Sequence, residues 1–194
     1  DWKNPYTTMN YLAEGRIVEE LGKFLTNGGL FRGEKPVMWS PVERTALAEA
    51  EIEYHDHKST QIWVKFPIVK SELSSLEKAN AVIWTTTPWT IPGNRAVAYG
   101  EGLNYVVLEI KEITEGSSLK LGERLLVAEA LLDAVTRKCG VTRTSIVGEI
   151  KGSNLSGTIC SHPLKGYGYD FEVPLLVGEH VTEEDGTGLV HTAP

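Results

Sequence analysis

The chain has 194 residues, 41% of them apolar and 23% charged, with a formal charge of −7. That length gives one domain, or one domain plus a small appendage, and a real core, which speaks against a disordered chain. The acidic balance speaks against a uniformly basic nucleic-acid face, although a local patch remains compatible with a nucleic-acid partner. No apolar run approaches the ~18 residues that span a bilayer, and the polar stretch 1–6 lacks the layout of a signal peptide. Cys139 and Cys160 form no CxxC pair, so neither a disulfide framework nor a cysteine-built zinc site is expected, and two free thiols are the simpler reading. A start at Asp1 without methionine and a stop at Pro194 suggest a piece of a larger protein.

In chain order, a hydroxyl at Thr7 or Thr8 caps a predicted helix. Ala13, Ile17, Leu21, Phe24 and Leu25 fall on one of its faces, and Asn27-Gly28-Gly29 ends it. Residues 30–40 read as a short hairpin or extended connector, and the alanine-rich 43–50 as a brief helical turn. From about residue 51 the texture becomes β-rich. Residues 61–68 alternate, with Ile62, Val64, Phe66 and Ile68 on one face. Residues 81–87 form a β-branched and aromatic run, and 96–99 and 105–110 are strands joined by a turn at Gly100-Glu101-Gly102. Residues 124–128 are a short strand. Residues 129–139 are one helix with Leu131, Leu132, Val135 and Cys139 inward, closed by Gly140. Further strands are expected at 145–150, 173–177 and 189–191. The pattern predicts an α+β fold: a compact, β-barrel-like, mostly antiparallel sheet core with a few flanking helices. It divides into a lead-in linker with helix and hairpin, 1–48, and a main domain, 49–194.

Two segments carry chemistry. In Trp84-Thr85-Thr86-Thr87-Pro88-Trp89-Thr90-Ile91-Pro92-Gly93-Asn94, Pro88 has no N–H for a sheet ladder and pushes Thr87 toward extended geometry. The strand ends abruptly with hydroxyls at its rim, where they can hold a small polar substrate or a water. On composition alone, a Pro-braced strand end with satisfied hydroxyls is the stronger reading. The second segment runs from Thr182 to Pro194, through Gly186-Thr187-Gly188 to His191. Its glycines allow a close backbone approach, but no phosphate loop or dinucleotide fingerprint follows. His191 ends an apolar strand, where a side chain can face a pocket. His55 and His57 lie two apart without a third ligand and read as solvated strand residues, His162 as a loop residue, and His180 as unpartnered. With no Gly-x-Ser-x-Gly elbow and no spaced carboxylate pair, any hydrolysis relies on a positioned water rather than a side-chain nucleophile.

Residues 84–94 closely resemble the threonine-rich signature of the isoleucyl-tRNA synthetase editing domain, and residues 186–194 resemble its second signature. Asp1-Trp2-Lys3-Asn4-Pro5-Tyr6 and Thr45-Ala46-Leu47-Ala48-Glu49-Ala50-Glu51 look like further segments of the same insertion. Pro88-Trp89-Thr90 points to the isoleucyl branch rather than the valyl and leucyl ones. The resemblance implies the editing-domain fold of the class I synthetases over 49–194. It implies hydrolytic proofreading of valyl-tRNA(Ile) and valyl-adenylate, with isoleucine excluded sterically. Thr86, Thr87, Asn94 and His191 are its implied catalytic residues; Thr85, Trp89, Thr90 and again His191 bind substrate. His191 is implied to abut the amino-acid side chain rather than act as general base. Arg95 is expected at the rim, toward the terminal nucleotides. No cofactor or metal is implied in this stretch, ATP and Mg belonging to the parent's synthetic site. The implied partners are the tRNA(Ile) acceptor end, valine as ester or adenylate, and the Rossmann catalytic domain of the same chain, in a cytoplasmic monomer without membrane contact; an organellar origin stays open. The family's signature continues into an aspartate-bearing segment that holds the substrate ammonium. The alternatives are therefore a non-catalytic insertion that positions the acceptor end, or a piece inactive without that aspartate.

Overall fold

In the computed structural model, which describes residues 1–194, the polypeptide forms two units, Asp1–Asp56 and His57–Pro194. In the first, helix α1 spans Tyr11–Thr26. Its cap is Asn10 rather than Thr7 or Thr8. The Asn10 side-chain oxygen accepts from the Leu12 and Ala13 amides at 2.9 and 3.3 Å, satisfying donors that the first turn leaves free. Asn27 follows the helix, and Gly28 takes a left-handed φ of 80°. The apolar face exists, but no residue of α1 is buried. Strands β1 (Trp39–Ser40) and β2 (Thr45–Ala46) then form a small antiparallel hairpin. The helical turn expected over 43–50 is therefore part strand. Arg44, with φ 57°, donates its amide to the Ser40 carbonyl and turns the chain, and only Glu49–Glu51 coils into a single 3-10 turn. Local turn geometry here overrides the helix propensity of alanine. His55 and His57 are exposed and lie in coil, not on a strand.

The second unit is built on β3 (Ile62–Lys70), β4 (Ala79–Thr85), β5 (Ala96–Tyr99), β6 (Asn104–Ile113), β7 (Arg124–Ala128), β8 (Val141–Lys151), β9 (Ile159–Ser161), β10 (Glu172–Val177) and β11 (Leu189–Thr192). These join in one nine-stranded sheet of order β11-β5-β10-β9-β3-β4-β7-β6-β8. The β10–β5 and β4–β7 pairs run parallel and the others antiparallel. The expected α+β, mostly antiparallel architecture is present, but the sheet is not a closed barrel. Its outer strands are β11 and β8, and β11 curls over to lie against β4 without pairing to it. The Gly100–Gly102 turn is likewise no hairpin, because β5 pairs with β10 and β11 while β6 pairs with β7 and β8. Strand β9, a short segment between glycines and prolines, carried no sequence signal. Helix α2 covers only Leu132–Lys138, after a 3-10 turn at Glu129–Leu131, with Leu131 and Val135 buried as expected.

Tyr105–Leu108 and Leu125–Ala128 are buried without interruption, the sign of strands covered on both faces. They form a core with Phe66, Leu76, Ile83, Ile110 and Leu155. Both cysteines are free; Cys160 is fully buried, and burial pushes its thiol up to about 12. The Gly186–Gly188 turn meets the protein itself. The Thr187 carbonyl accepts from the Ala128 amide at 2.8 Å. A Cβ on Gly188, whose φ is 73°, would sit 2.3 Å from that of Ala128. No helix is long and apolar enough to cross a membrane.

Candidate active site

The order of the strands places the site. Strand β4 ends at Thr85, two residues short of the expected 87, and Pro88 opens a 3-10 turn over Pro88–Gly93 that leads into β5. Strand β11 runs antiparallel to β5, with His191 opposite Val97 and Thr192 opposite Ala96. The end of β11 therefore lies beside the turn that precedes β5. Along β11, Leu189 is buried, Val190 exposed and His191 half-buried, so alternation puts Leu189 and His191 on the inner face.

Thr85 is buried, and its Oγ1 accepts the Thr87 amide at 3.0 Å and lies 3.1 Å from Thr87 Oγ1. Thr90 Oγ1 donates to the Thr87 carbonyl at 2.7 Å and lies 3.0 Å from His191 Nε2. On the other side of the ring, Asn94 Nδ2 donates to His191 Nδ1 at 2.7 Å and to the Ala96 carbonyl at 2.9 Å. These contacts fix the proton. A carbonyl only accepts, so the Asn94 atom facing Ala96 is its nitrogen, and His191 Nδ1 must be the unprotonated acceptor. The Nε2–H then donates to Thr90 Oγ1, whose own proton goes to Thr87. A second proton on His191 would face an N–H, and burial, followed by the nearby His162, holds the His191 pKa below 6.5. The imidazole is neutral with both nitrogens engaged, which suits it to shaping a surface and not to taking a proton from water.

The Thr85 and Thr90 hydroxyls are spent internally. Thr86 is exposed with no protein partner for its hydroxyl, and its carbonyl accepts from Ser59 Oγ at 2.7 Å. Thr87 is exposed and keeps spare capacity. Trp89 is 69% exposed and stands outside the network. Of the seven sequence-chosen residues, five thus form one connected hydroxyl–imidazole–amide cluster (Thr85, Thr87, Thr90, Asn94, His191), with Thr86 at its rim. Arg95 is turned to its own backbone, Nη1 donating to the Asn94 carbonyl at 2.8 Å. Ser59 went unnoticed in the sequence because its only link to the site is 27 residues distant. The buried Asn94 Oδ1 has no partner, a cost of about 1–3 kcal/mol accepted where the amide must donate twice. A separate cavity of about 540 Å³, lined by Trp63, Lys65, Leu119 and Lys138 among others, holds none of these residues. No three His, Cys, Asp or Glu side chains gather as a metal site.

A family profile described as tRNA synthetases class I (I, L, M and V) matches residues 1–163. The isoleucine–tRNA ligase of Gluconobacter oxydans is 55% identical over 196 residues, covering 100% of this chain and 20% of that protein. That of Pelagibacter ubique is 50% identical over 194 residues, covering 100% and 21%. The chain thus spans about a fifth of the length of the curated relatives it matches. The crystal structure of GlLeuRS-CP1 superimposes with a TM-score of 0.53 at 16% identity, covering 69% of this chain and 54% of the other. At that identity the likeness is one of fold.

Proposed function

Because the chain belongs to the class I tRNA synthetases of the I, L, M and V group, we propose that it is the editing domain of an isoleucyl-type enzyme, hydrolysing valyl-tRNA(Ile) and valyl-adenylate. The observation that carries this reading is the Thr90–His191–Asn94 contact. It joins two signatures, 101 and 97 residues apart by its two bonds, at one rim. Beside it stands the partly free hydroxyl of Thr87, bonded toward Thr85 and Thr90, and Thr86, the preceding residue, is exposed with its hydroxyl unpaired.

In this reading those hydroxyls orient a water toward the ester carbonyl carbon. The water oxygen bonds to that carbon, the ester C–O bond breaks, and the departing ribose oxygen takes the proton, giving valine and free tRNA. The rate comes from positioning. His191, neutral and locked, forms a wall against the side chain. One methylene is worth only ~1–3 kcal/mol when a site merely accepts the larger ligand, so exclusion of isoleucine needs such a rigid contact. The same proposal takes the His57–Pro194 unit as the editing body. It gives the acceptor end of tRNA(Ile) and an ATP- and Mg-using Rossmann domain in the same chain as partners, in a cytoplasmic monomer.

Deacylation of valyl-tRNA(Ile) and isoleucyl-tRNA(Ile) tests it. Selective loss of valine, weakened by Thr87→Ala and extended to isoleucine by His191→Ala, is expected. A folded chain that neither cleaves these esters nor binds a valyl analogue would sink the hydrolytic reading and leave an insertion that only positions the acceptor end. Binding without cleavage would keep the pocket and assign the chemistry to the aspartate-bearing segment.

A further inference from the structure

The turn that carries Thr90 and Asn94 is also gripped from behind, through the carbonyl between them. His162, 1% exposed, holds the Ile91 carbonyl at 2.9 Å from its Nε2, and its Nδ1 accepts the Leu164 amide at 3.1 Å. The Leu164 amide can only donate, so Nδ1 is bare and Nε2–H donates to Ile91. Tyr169 stacks on the ring, centroids 5.0 Å apart and planes 19° from parallel, and Phe171 tilts against it at 5.1 Å. Phe171 lies 4.5 Å under the Arg95 guanidinium, whose Nη1 holds the Asn94 carbonyl. The 162–171 segment thus fastens the turn directly at the Ile91 carbonyl, and reaches the Asn94 carbonyl only through Arg95, which packs on Phe171. The side chains of Thr90 and Asn94 close on opposite nitrogens of His191.

We infer that His162 is a positioning residue for the proposed editing site, setting the Thr90–His191–Asn94 geometry through its bond to the Ile91 carbonyl. The inference rests on the hydrolytic reading only for its effect on rate. Ile91 is itself buried, and its carbonyl also accepts the Asn94 amide at 3.0 Å within the turn. The His162 donor is therefore the bond that ties this carbonyl to another part of the fold, and without it the turn is free to shift. Thr90, the adjacent residue, shifts with it. Nothing in the sequence beyond a histidine before a proline marked this role, because the bond spans 71 residues.

The test reads His191 directly, by the NMR shifts of its ring nitrogens in this chain. Wild type is expected to show a bare Nδ1 and a protonated Nε2. In His162→Phe, which keeps a ring but has no donor, those shifts should move toward the average of the two tautomers. Valyl-tRNA deacylation should fall about tenfold or more. His162→Gln, whose amide nitrogen reaches the Nε2 position, should retain the wild-type pattern. A folded His162→Phe with an unchanged His191 pattern overturns the inference. If His162→Phe does not fold, His162→Gln decides: pattern kept supports it, while pattern lost or no folding overturns it. A folded wild-type chain that neither cleaves valyl-tRNA nor binds a valyl analogue would refute the functional reading, and the nitrogen shifts would still judge the positioning.

Discussion

Asn94 spends one nitrogen twice and leaves its oxygen unpaired, and that choice determines the state of His191. Replacing the amide by a carboxylate reverses the logic. In Asn94→Asp the group facing Nδ1 accepts instead of donating, so the imidazolium gains a partner. The His191 titration midpoint, followed by proton NMR, is expected to move from below 6.5 in the wild type to above it. The wild-type shift also predicts how stability depends on pH. The folded pKa lies below the unfolded 6.5, so the unfolded chain binds the proton first. This contribution is complete above about pH 6.5 and is lost as the pH falls through that value toward the folded pKa. Urea midpoints should decline over that window in the wild type, and the decline should be smaller in His191→Phe.

At the scale of elements, the Gly186–Gly188 turn is seated by a side chain from a distant strand. Tyr105, on β6, accepts the Gly100 amide at 2.9 Å and donates to the Gly188 carbonyl at 2.7 Å. Burial pushes its phenol up to about 12, so both roles hold at any working pH. Tyr105→Phe leaves two buried backbone groups unpaired and is expected to cost about 2–4 kcal/mol in urea unfolding. Gly188→Ala adds a Cβ that collides with Ala128 while keeping a left-handed φ. It should destabilise by about 1–3 kcal/mol and displace β11, so that the His191 contacts to Thr90 and Asn94 weaken as well. Loss of stability without any change in His191 shifts would show that the turn and the site are independent.

At the scale of the molecule, every buried core side chain from Phe66 onward belongs to the second unit, and α1 buries none of its residues. A protein comprising His57–Pro194 is therefore expected to unfold in one cooperative transition with a melting temperature close to that of the whole chain. Calorimetry would check this, and a broad or absent transition would contradict it. The open, curled sheet is what makes the site. Because β11 pairs with β5 and leans on β4, the end of one signature strand comes to rest beside the turn of the other.

The two segments that carry the candidate residues were legible from sequence because their signals are local, while the roles of those residues came from the family resemblance alone. Pro88 ends a β-branched run, Gly186 and Gly188 make a turn, and His191 follows an apolar strand. Most strands announced themselves by alternation or by continuous burial-prone runs. The local record misled where short-range competition decided the outcome: at Asn10, which out-competed two threonines as cap, and at 43–50, where a turn displaced a helix. What sequence could not supply was pairing. The order of nine strands, the failure of the sheet to close, the seat of Tyr105 and the grip of His162 all depend on contacts between residues far apart in the chain. Such contacts leave no periodicity for a local pattern to carry. The sequence by itself determined which groups were available. The tertiary structure decided that Thr90 and Asn94 take opposite sides of His191 and leave it neutral, because only the pairing of β11 with β5 brings the end of one strand within hydrogen-bond distance of the turn that precedes the other.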